Sequence, residues 1–361
     1  MTKLSLYLAR HYLMNILMFL AVVLSIVLIF DVLEILRRLD GQEVPILKVM
    51  AMGLLKLPEV GQIILPFVVL FSAMYTFWQL NRRQELVIMR SSGLSVWQFL
   101  TPIILTGAVI GIAQVLIINP VGAALLGKYD NFEKSFLSSG DDLVASLSDG
   151  LWLRQASRNG ESIIYSKRIN PEDWSFGDVT IFRFDASSQF TERIDSPMAR
   201  LEQGSWRFEE AVINKNRQGT ETVNDYKIQT DLSPRDIQDS FASPETRSLW
   251  ELPGLIAQLR TAGFDTTRLR IHLHSLLSTP LLFAAVISIA AVISLNPTTR
   301  AGGTLRMVMT GIVAGFVIFF MTNFLKALGA SSQMPVMIAA WSPAVLTLIV
   351  GFGLLLNTED G

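Results

Sequence analysis

Six long apolar runs, split three and three by a polar block, leave this chain few ways to fold. A membrane crossing needs about 20 mostly apolar residues. Runs of that kind lie at about Tyr12–Leu36, Met50–Leu80, Phe99–Leu126, Leu273–Leu295, Leu305–Leu328 and Val336–Leu356. The second run contains Pro58 and Pro66, which predict kinks. The first run is longer than the core of a cleavable signal, and no small-residue cleavage site follows it. It is expected to stay as a first span.

Composition agrees. Half of the 361 residues are hydrophobic and 17% are charged, below the quarter or so of a typical soluble domain. The net charge of −1 provides no global field for nucleic acid. Without cysteine, the chain has no disulfides, no thiolate chemistry and no Cys-ligated metal.

Lys and Arg near span ends set orientation. Lys3, Arg10, Arg82, Arg83, Arg90, Arg300 and Arg306 fall on one side. Arg37, Arg38, Lys48, Lys56 and Lys326 fall on the other. The larger group predicts cytoplasmic termini and places the block between spans three and four outside. That block, about Tyr129–Arg270, alternates apolar and polar residues. Trp206 and Phe208 alternate with Ser205, Arg207 and Glu209, and Thr180, Phe182 and Phe184 oppose Val179, Ile181 and Arg183. Period-two patterning means strands with one covered face. Asn159-Gly160, Gly204-Ser205 and Gln218-Gly219 are turn signals. About seven short strands are expected, as an antiparallel sandwich or jelly roll. Leu252, Leu255, Ile256 and Leu259 then take helical spacing within Leu249–Ala262. The expected domains are 1–128 (spans one to three), 129–270 (β-domain and connecting helix) and 271–361 (spans four to six).

Asn81–Gly93 is a charged interruption between spans two and three. Leu86 and Met89 share one face of a helical turn, while Arg82, Arg83, Glu85 and Arg90 stay polar. Gly93 suits a helix C-cap. Two readings stand: a surface helix that moves two spans together when something docks on it, or arginines that only fix topology.

Other motifs divide similarly. Gly122–Tyr129 nearly spells a phosphate-binding loop, but Tyr129 stands where Ser or Thr would hold magnesium, and no strand precedes it. His272 and His274 are two apart and point to different faces of a helix, so no metal site is expected. No nucleophile–base arrangement and no paired carboxylates suggest catalysis, so any nucleotide hydrolysis belongs to another chain. Gly107-x-x-x-Gly111 and Gly311-x-x-x-Gly315 allow close helix approach. Asp31, Glu34, Arg37 and Arg38 gather at the outer end of span one. Arg37 and Arg38 either anchor the interface or bind an anionic headgroup, since Arg bonds phosphate bidentately. Asp31 sits deepest and calls for a wet or protein-lined place. Lys326 has the same two readings as the arginines. Phe67 and Phe71, with Phe316, Phe319 and Phe320, either line a lipid cavity or pack ordinarily.

Taken together, the three-plus-three layout, Leu57-Pro58-Glu59 to Ile64-Leu65-Pro66, the loop Arg83–Gly93 and Gly150-Leu151-Trp152 resemble the LptF/LptG family. These are permease subunits of the lipopolysaccharide-export ABC transporter of Gram-negative bacteria. Trp250–Leu281, with Gly263 and His272-Leu273-His274, is most similar to the LptG branch. The resemblance implies six transmembrane helices with an inserted periplasmic antiparallel β jelly-roll-like domain, in the inner membrane. It implies that residues 82–93 form a coupling helix seated on an LptB-like ATPase dimer. Glu85 would be the acidic contact, with Arg82, Arg83, Arg90, Leu86 and Met89 around it. It further implies an LptF-like partner, LptC-like and LptA-like bridge proteins, and lipopolysaccharide held by Arg37, Arg38 and, less directly matched, Lys326. ATP and Mg would be used by the partner, with no cofactor in this chain. A scaffold or sensor with a ligand-binding β-domain is the rival reading. An ion-coupled transporter is a second, resting on Asp31 and Glu59.

Overall fold

The computed structural model describes residues 2–38, 45–136, 151–157, 160–170, 174–185, 187, 189–202, 204–215, 219–230, 244–261, 264–295 and 303–359. Gly150, Asn159, Gln218, Gly263 and Arg300 lie outside them. The chain forms two compact units. One comprises Met1–Asp130, Pro244–Leu252 and Thr267–Gly361, and the other Asn131–Ser243 and Pro253–Thr266.

The first unit is helical. Its elements are α1 (Thr2–Arg38), α2 (Ile46–Arg82), α3 (Glu85–Ser91), α4 (Val96–Ala113) and α5 (Asn119–Phe136). After α6 (Leu252–Thr261) come α7 (Thr267–Leu295), α8 (Thr304–Ala330) and α9 (Val336–Glu359). A π-helical turn, Gln114–Ile118, joins α4 to α5 without a break. It relieves the backbone just before Pro120, whose ring cannot fit a regular α-helical turn. Six helices among the described residues are long and apolar enough to cross a membrane. They coincide with the six runs, extended by a few residues at their ends.

One core cluster runs through this unit. It joins Leu8, Tyr12 and Ile16 of α1, Phe77 and Leu80 of α2, Phe99 and Leu100 of α4, Phe283 and Ile287 of α7, and Leu355 of α9. The small-residue patterns serve packing inside the chain. A Cβ on Gly111 would lie 2.6 Å from Pro280 Cα, and one on Gly311 would lie 2.5 Å from the end of Met74. Gly122 of the phosphate-loop look-alike is likewise a contact point, where a Cβ would meet Gln62 Nε2 at 2.8 Å. That segment is continuous helix, not a loop.

Side-chain contacts give the bundle two ends. Tyr7 reaches Glu85, and Ser294 donates to the Met74 carbonyl at 3.5 Å. The α1 N-terminus, α3 and the end of α7 therefore share one end. Gly311 and Gly315 of α8 pack beside Met74 and Phe67 of α2, so α8 runs antiparallel to α2 and starts at that same end. Asp31, Lys56 and Tyr129 meet at the opposite end.

The second unit is one antiparallel sheet. Strands β1 (Leu151–Ser157), β2 (Gly160–Asn170), β3 (Ser175–Phe184), β4 (Phe190–Glu202), β5 (Ser205–Lys215) and β6 (Gly219–Gln229) pair in chain order. The antiparallel β insert expected from the alternation is present. Its connectivity among the described residues is a six-strand meander, without the crossed strand order of a Greek key. Ser157 pairs with Gly160, so Gly160 belongs to β2 rather than to the turn that the Asn159-Gly160 signal suggests.

A crease runs across the sheet. In β3 the buried residues pass from Phe176 to Val179 and Ile181, across Asp178 at φ 54°. In β4 they pass from Ile194 and Ser196 to Ala199 and Leu201, across Pro197 and Met198. In β5 they pass from Trp206 and Phe208 to Ala211 and Ile213. Asp225 of β6, at φ 54°, lies at the same level. The alternation therefore slips by one residue along a single line, the usual effect of aligned bulges. Phe176 and Trp206 touch at 4.8 Å between ring centroids although β4 lies between their strands. Strands two apart in a flat sheet stand about 9.6 Å apart, so the sheet is concave around its core. Phe264, just after α6, packs into that core.

Candidate functional site

Three features carry chemistry, all in the helical unit. The first is the turn between α2 and α4. Gln84 adopts φ 61°, which ends α2 and redirects the chain. Gly93, at φ 80°, ends α3: its N–H donates to the Arg90 carbonyl at 3.0 Å and Leu94 N–H donates to Met89 at 3.2 Å. That pair of bonds is a Schellman cap, which a left-handed Gly makes easily. Ser95 N–H then donates to Gln98 Oε1 at 3.3 Å and starts α4. The expected Gly93 cap is present.

The two faces of α3 have different surroundings. Leu86 and Met89 are buried in the bundle core, so they hold the helix from behind. Arg82, Arg83 and Arg90 are exposed, and the Arg82 guanidinium lies 5.1 Å above the Trp78 ring. Val87 and Ile88 also face outward, Ile88 at 61% exposure. Their signal in the sequence is an apolar pair one step off the Leu86–Met89 stripe. Glu85 accepts a hydrogen bond from Tyr7, whose hydroxyl lies 3.1 and 3.3 Å from its two oxygens.

At the other end is the charged rim. Arg37 and Arg38 are exposed, and Arg38 pairs with Glu34 one turn earlier. Asp31 is paired with Lys56 of α2 at 3.9 Å, which answers its need for a polar setting. Lys56 also lies 5.8 Å from the Tyr129 ring centroid. The sequence marks Lys56 only as a topology signal, because its partner is on another helix. Lys326 is half-buried, and Glu245 of the short helical turn Pro244–Thr246 acts electrostatically on both it and His272. His272 Nε2 and His274 Nδ1 are buried. No group of three or more potential metal ligands occurs among the described residues.

The third feature is aromatic. Phe67 of α2 contacts Phe319 and Phe316 of α8 at 5.6 and 6.1 Å. Phe320 stacks on Phe316 at 6.1 Å, and Phe71 lies beside Gly311. All five predicted phenylalanines thus form one patch, with Phe316 and Phe320 more than half exposed. Phe67 is eleven residues along α2 from Lys56, about 16 Å of helix rise. The patch is therefore deeper in the bundle than the charged rim.

The family model described as lipopolysaccharide export system permease LptF/LptG matches residues 6–357. Lipopolysaccharide export system permease protein LptG of Escherichia coli K12 is 24% identical over 314 residues, covering 84% of each chain. The protein of the same description from Haemophilus influenzae is 21% identical over 316 residues, covering 85% of each.

Proposed function

The chain belongs to the LptF/LptG family of lipopolysaccharide export permeases, multi-pass proteins of the inner membrane, and we propose that it is one half of an ATP-driven extractor. In this reading α3 is the seat of a separate LptB-like ATPase dimer, which binds the ATP and Mg. An LptF-like subunit completes the membrane cavity. The termini and α3 face the cytoplasm and the β-domain faces the periplasm, where LptC-like and LptA-like proteins continue the route.

The observation that carries the proposal is the two-faced α3. Its rear is locked into the core by Leu86 and Met89, so a push on the outward Glu85, Val87, Ile88 and Arg90 is passed to α2 and α4 rather than absorbed by a loose loop. Narrowing of the cavity then drives the lipid upward. Arg37, Arg38, Lys56 and Lys326 supply cations for phosphates at the rim. The patch around Phe67 and Phe316 supplies apolar surface for acyl chains. That surface is needed because water contact costs about 0.8 kcal/mol per CH2, or roughly 9 kcal/mol for one twelve-carbon chain. The β-domain core then offers the next apolar lining.

Glu85→Lys tests the seat. It reverses the acidic contact while leaving Leu86 and Met89 in place. Co-purification of the ATPase and lipopolysaccharide-stimulated ATP turnover are both expected to fall. Unchanged values for both would overturn the coupling role.

A further inference from the structure

Helix α1 is gripped at the α3 end and carries exposed apolar side chains further out. Tyr7 donates to Glu85, and its ring stacks on His11 at 5.9 Å with 10° between planes. His11 Nε2 lies 2.7 Å from Gln79 Oε1, and Asn15 donates to Thr76 at 2.8 Å. Residues 7, 11 and 15 are each one turn apart and form a single stripe. The stripe is therefore a polar seam that begins on α3 and runs down the α1–α2 boundary. Within it, Asn15 and Thr76 are buried, so their bond has few substitutes in apolar surroundings. Beyond Ile16 the helix turns Leu17, Val22, Ile26 and Phe30 outward.

We propose that Tyr7 is a positioning residue for the elbow: its hydroxyl orients the Glu85 carboxylate and ties α3 to α1, so movement of α3 is delivered to α1 as well as to α2 and α4. The inference rests on the permease reading. The apolar contacts of Leu86 and Met89 hold α3 against the core but, being non-directional, do not set the orientation of the Glu85 carboxylate. The Tyr7 hydroxyl lies 3.1 and 3.3 Å from the two Glu85 oxygens, so it faces the carboxylate end-on and gives α3 a directional tie to α1.

The test uses the full chain with its co-eluting complex in vesicles containing lipopolysaccharide. Tyr7→Phe keeps the ring and its stacking on His11 and removes only the hydroxyl. Lipopolysaccharide exported per ATP hydrolysed, a ratio independent of the amount of complex recovered, is expected to fall about three- to tenfold, the range for losing one ordinary, solvent-exposed hydrogen bond. A second readout uses the absence of native cysteine. Spin labels on Met14→Cys and Ser92→Cys are expected to keep one separation with and without nucleotide, and to lose that invariance when Tyr7→Phe is added. An export ratio unchanged by Tyr7→Phe, or a label separation that already shifts with nucleotide in its absence, overturns the proposal. An unaltered chain that brings down no ATPase overturns the permease reading, and this inference with it.

Discussion

Gly107 and Gly111 invite the same substitution with opposite consequences. A Cβ on Gly111 would sit 2.6 Å from Pro280 Cα and 3.1 Å from Pro280 N, which are backbone atoms of a fixed ring. A Cβ on Gly107 would sit 2.1 Å from Ile287 Cδ1, the free end of a side chain that can rotate away. Overpacking against atoms that cannot move costs about 1–3 kcal/mol. Replacing a mid-helix Gly by Ala returns about 0.5–1 kcal/mol. Gly111→Ala is therefore expected to lose about 1–2 kcal/mol, or roughly 2–6 °C of melting temperature. Gly107→Ala is expected to stay within about 1 kcal/mol of the parent, since the obstacle yields and the helix gains. Ile287→Val removes Cδ1 and alone costs about 0.5–1.5 kcal/mol, and the pair Gly107→Ala with Ile287→Val should recover part of that. Thermal unfolding of the purified protein in detergent, followed by tryptophan fluorescence, measures all four. If Gly107→Ala falls as far as Gly111→Ala, the distinction between a rigid and a yielding neighbour is wrong.

Two further predictions concern charge. Lys56→Met strands Asp31 at the rim of the bundle and should lower the melting temperature, whereas Lys56→Met with Asp31→Asn should restore it, because removing a whole pair is far milder than removing one partner. In the β3–β4 turn, the Gln189 and Ser187 backbone N–H groups donate to Asp185 Oδ1 at 2.9 and 2.8 Å, which holds its carboxyl below the usual carboxylate range. A depressed folded value means the contribution is complete above the ordinary value of about 3.9 and is lost as pH falls through the lower one. Asp185→Asn should therefore flatten the acid limb of a stability–pH curve and leave the neutral region unchanged in slope.

Much of the architecture was legible because it depends on local pattern. Hydrophobic runs gave the six helices, alternation gave the strands, and Gly93 marked the end of α3 before any fold was known. Contacts between distant parts of the chain were not legible. Tyr7 and Glu85 are 78 residues apart, and neither signals the other. Lys56 looked like a topology residue until α1 and α2 packed side by side and brought it to Asp31. Leu86 and Met89 suggested a helix lying on a membrane surface, but the apolar face found a better partner in the bundle itself. The jelly-roll expectation captured the antiparallel insert and missed how one meander encloses a core. The clue was the single-residue slip at Gly177-Asp178 and Pro197-Met198, which resembles noise in any one strand and becomes a crease only when the strands are aligned.

Fixed limits at both ends make α3 a crank of set length. Its seven residues run from the left-handed Gln84 to the Schellman cap at Gly93. One inserted residue would leave every charge in the segment intact, yet it would swing the side chains beyond it through about 100°. The spacing between the two left-handed residues is thus the quantity under geometric constraint.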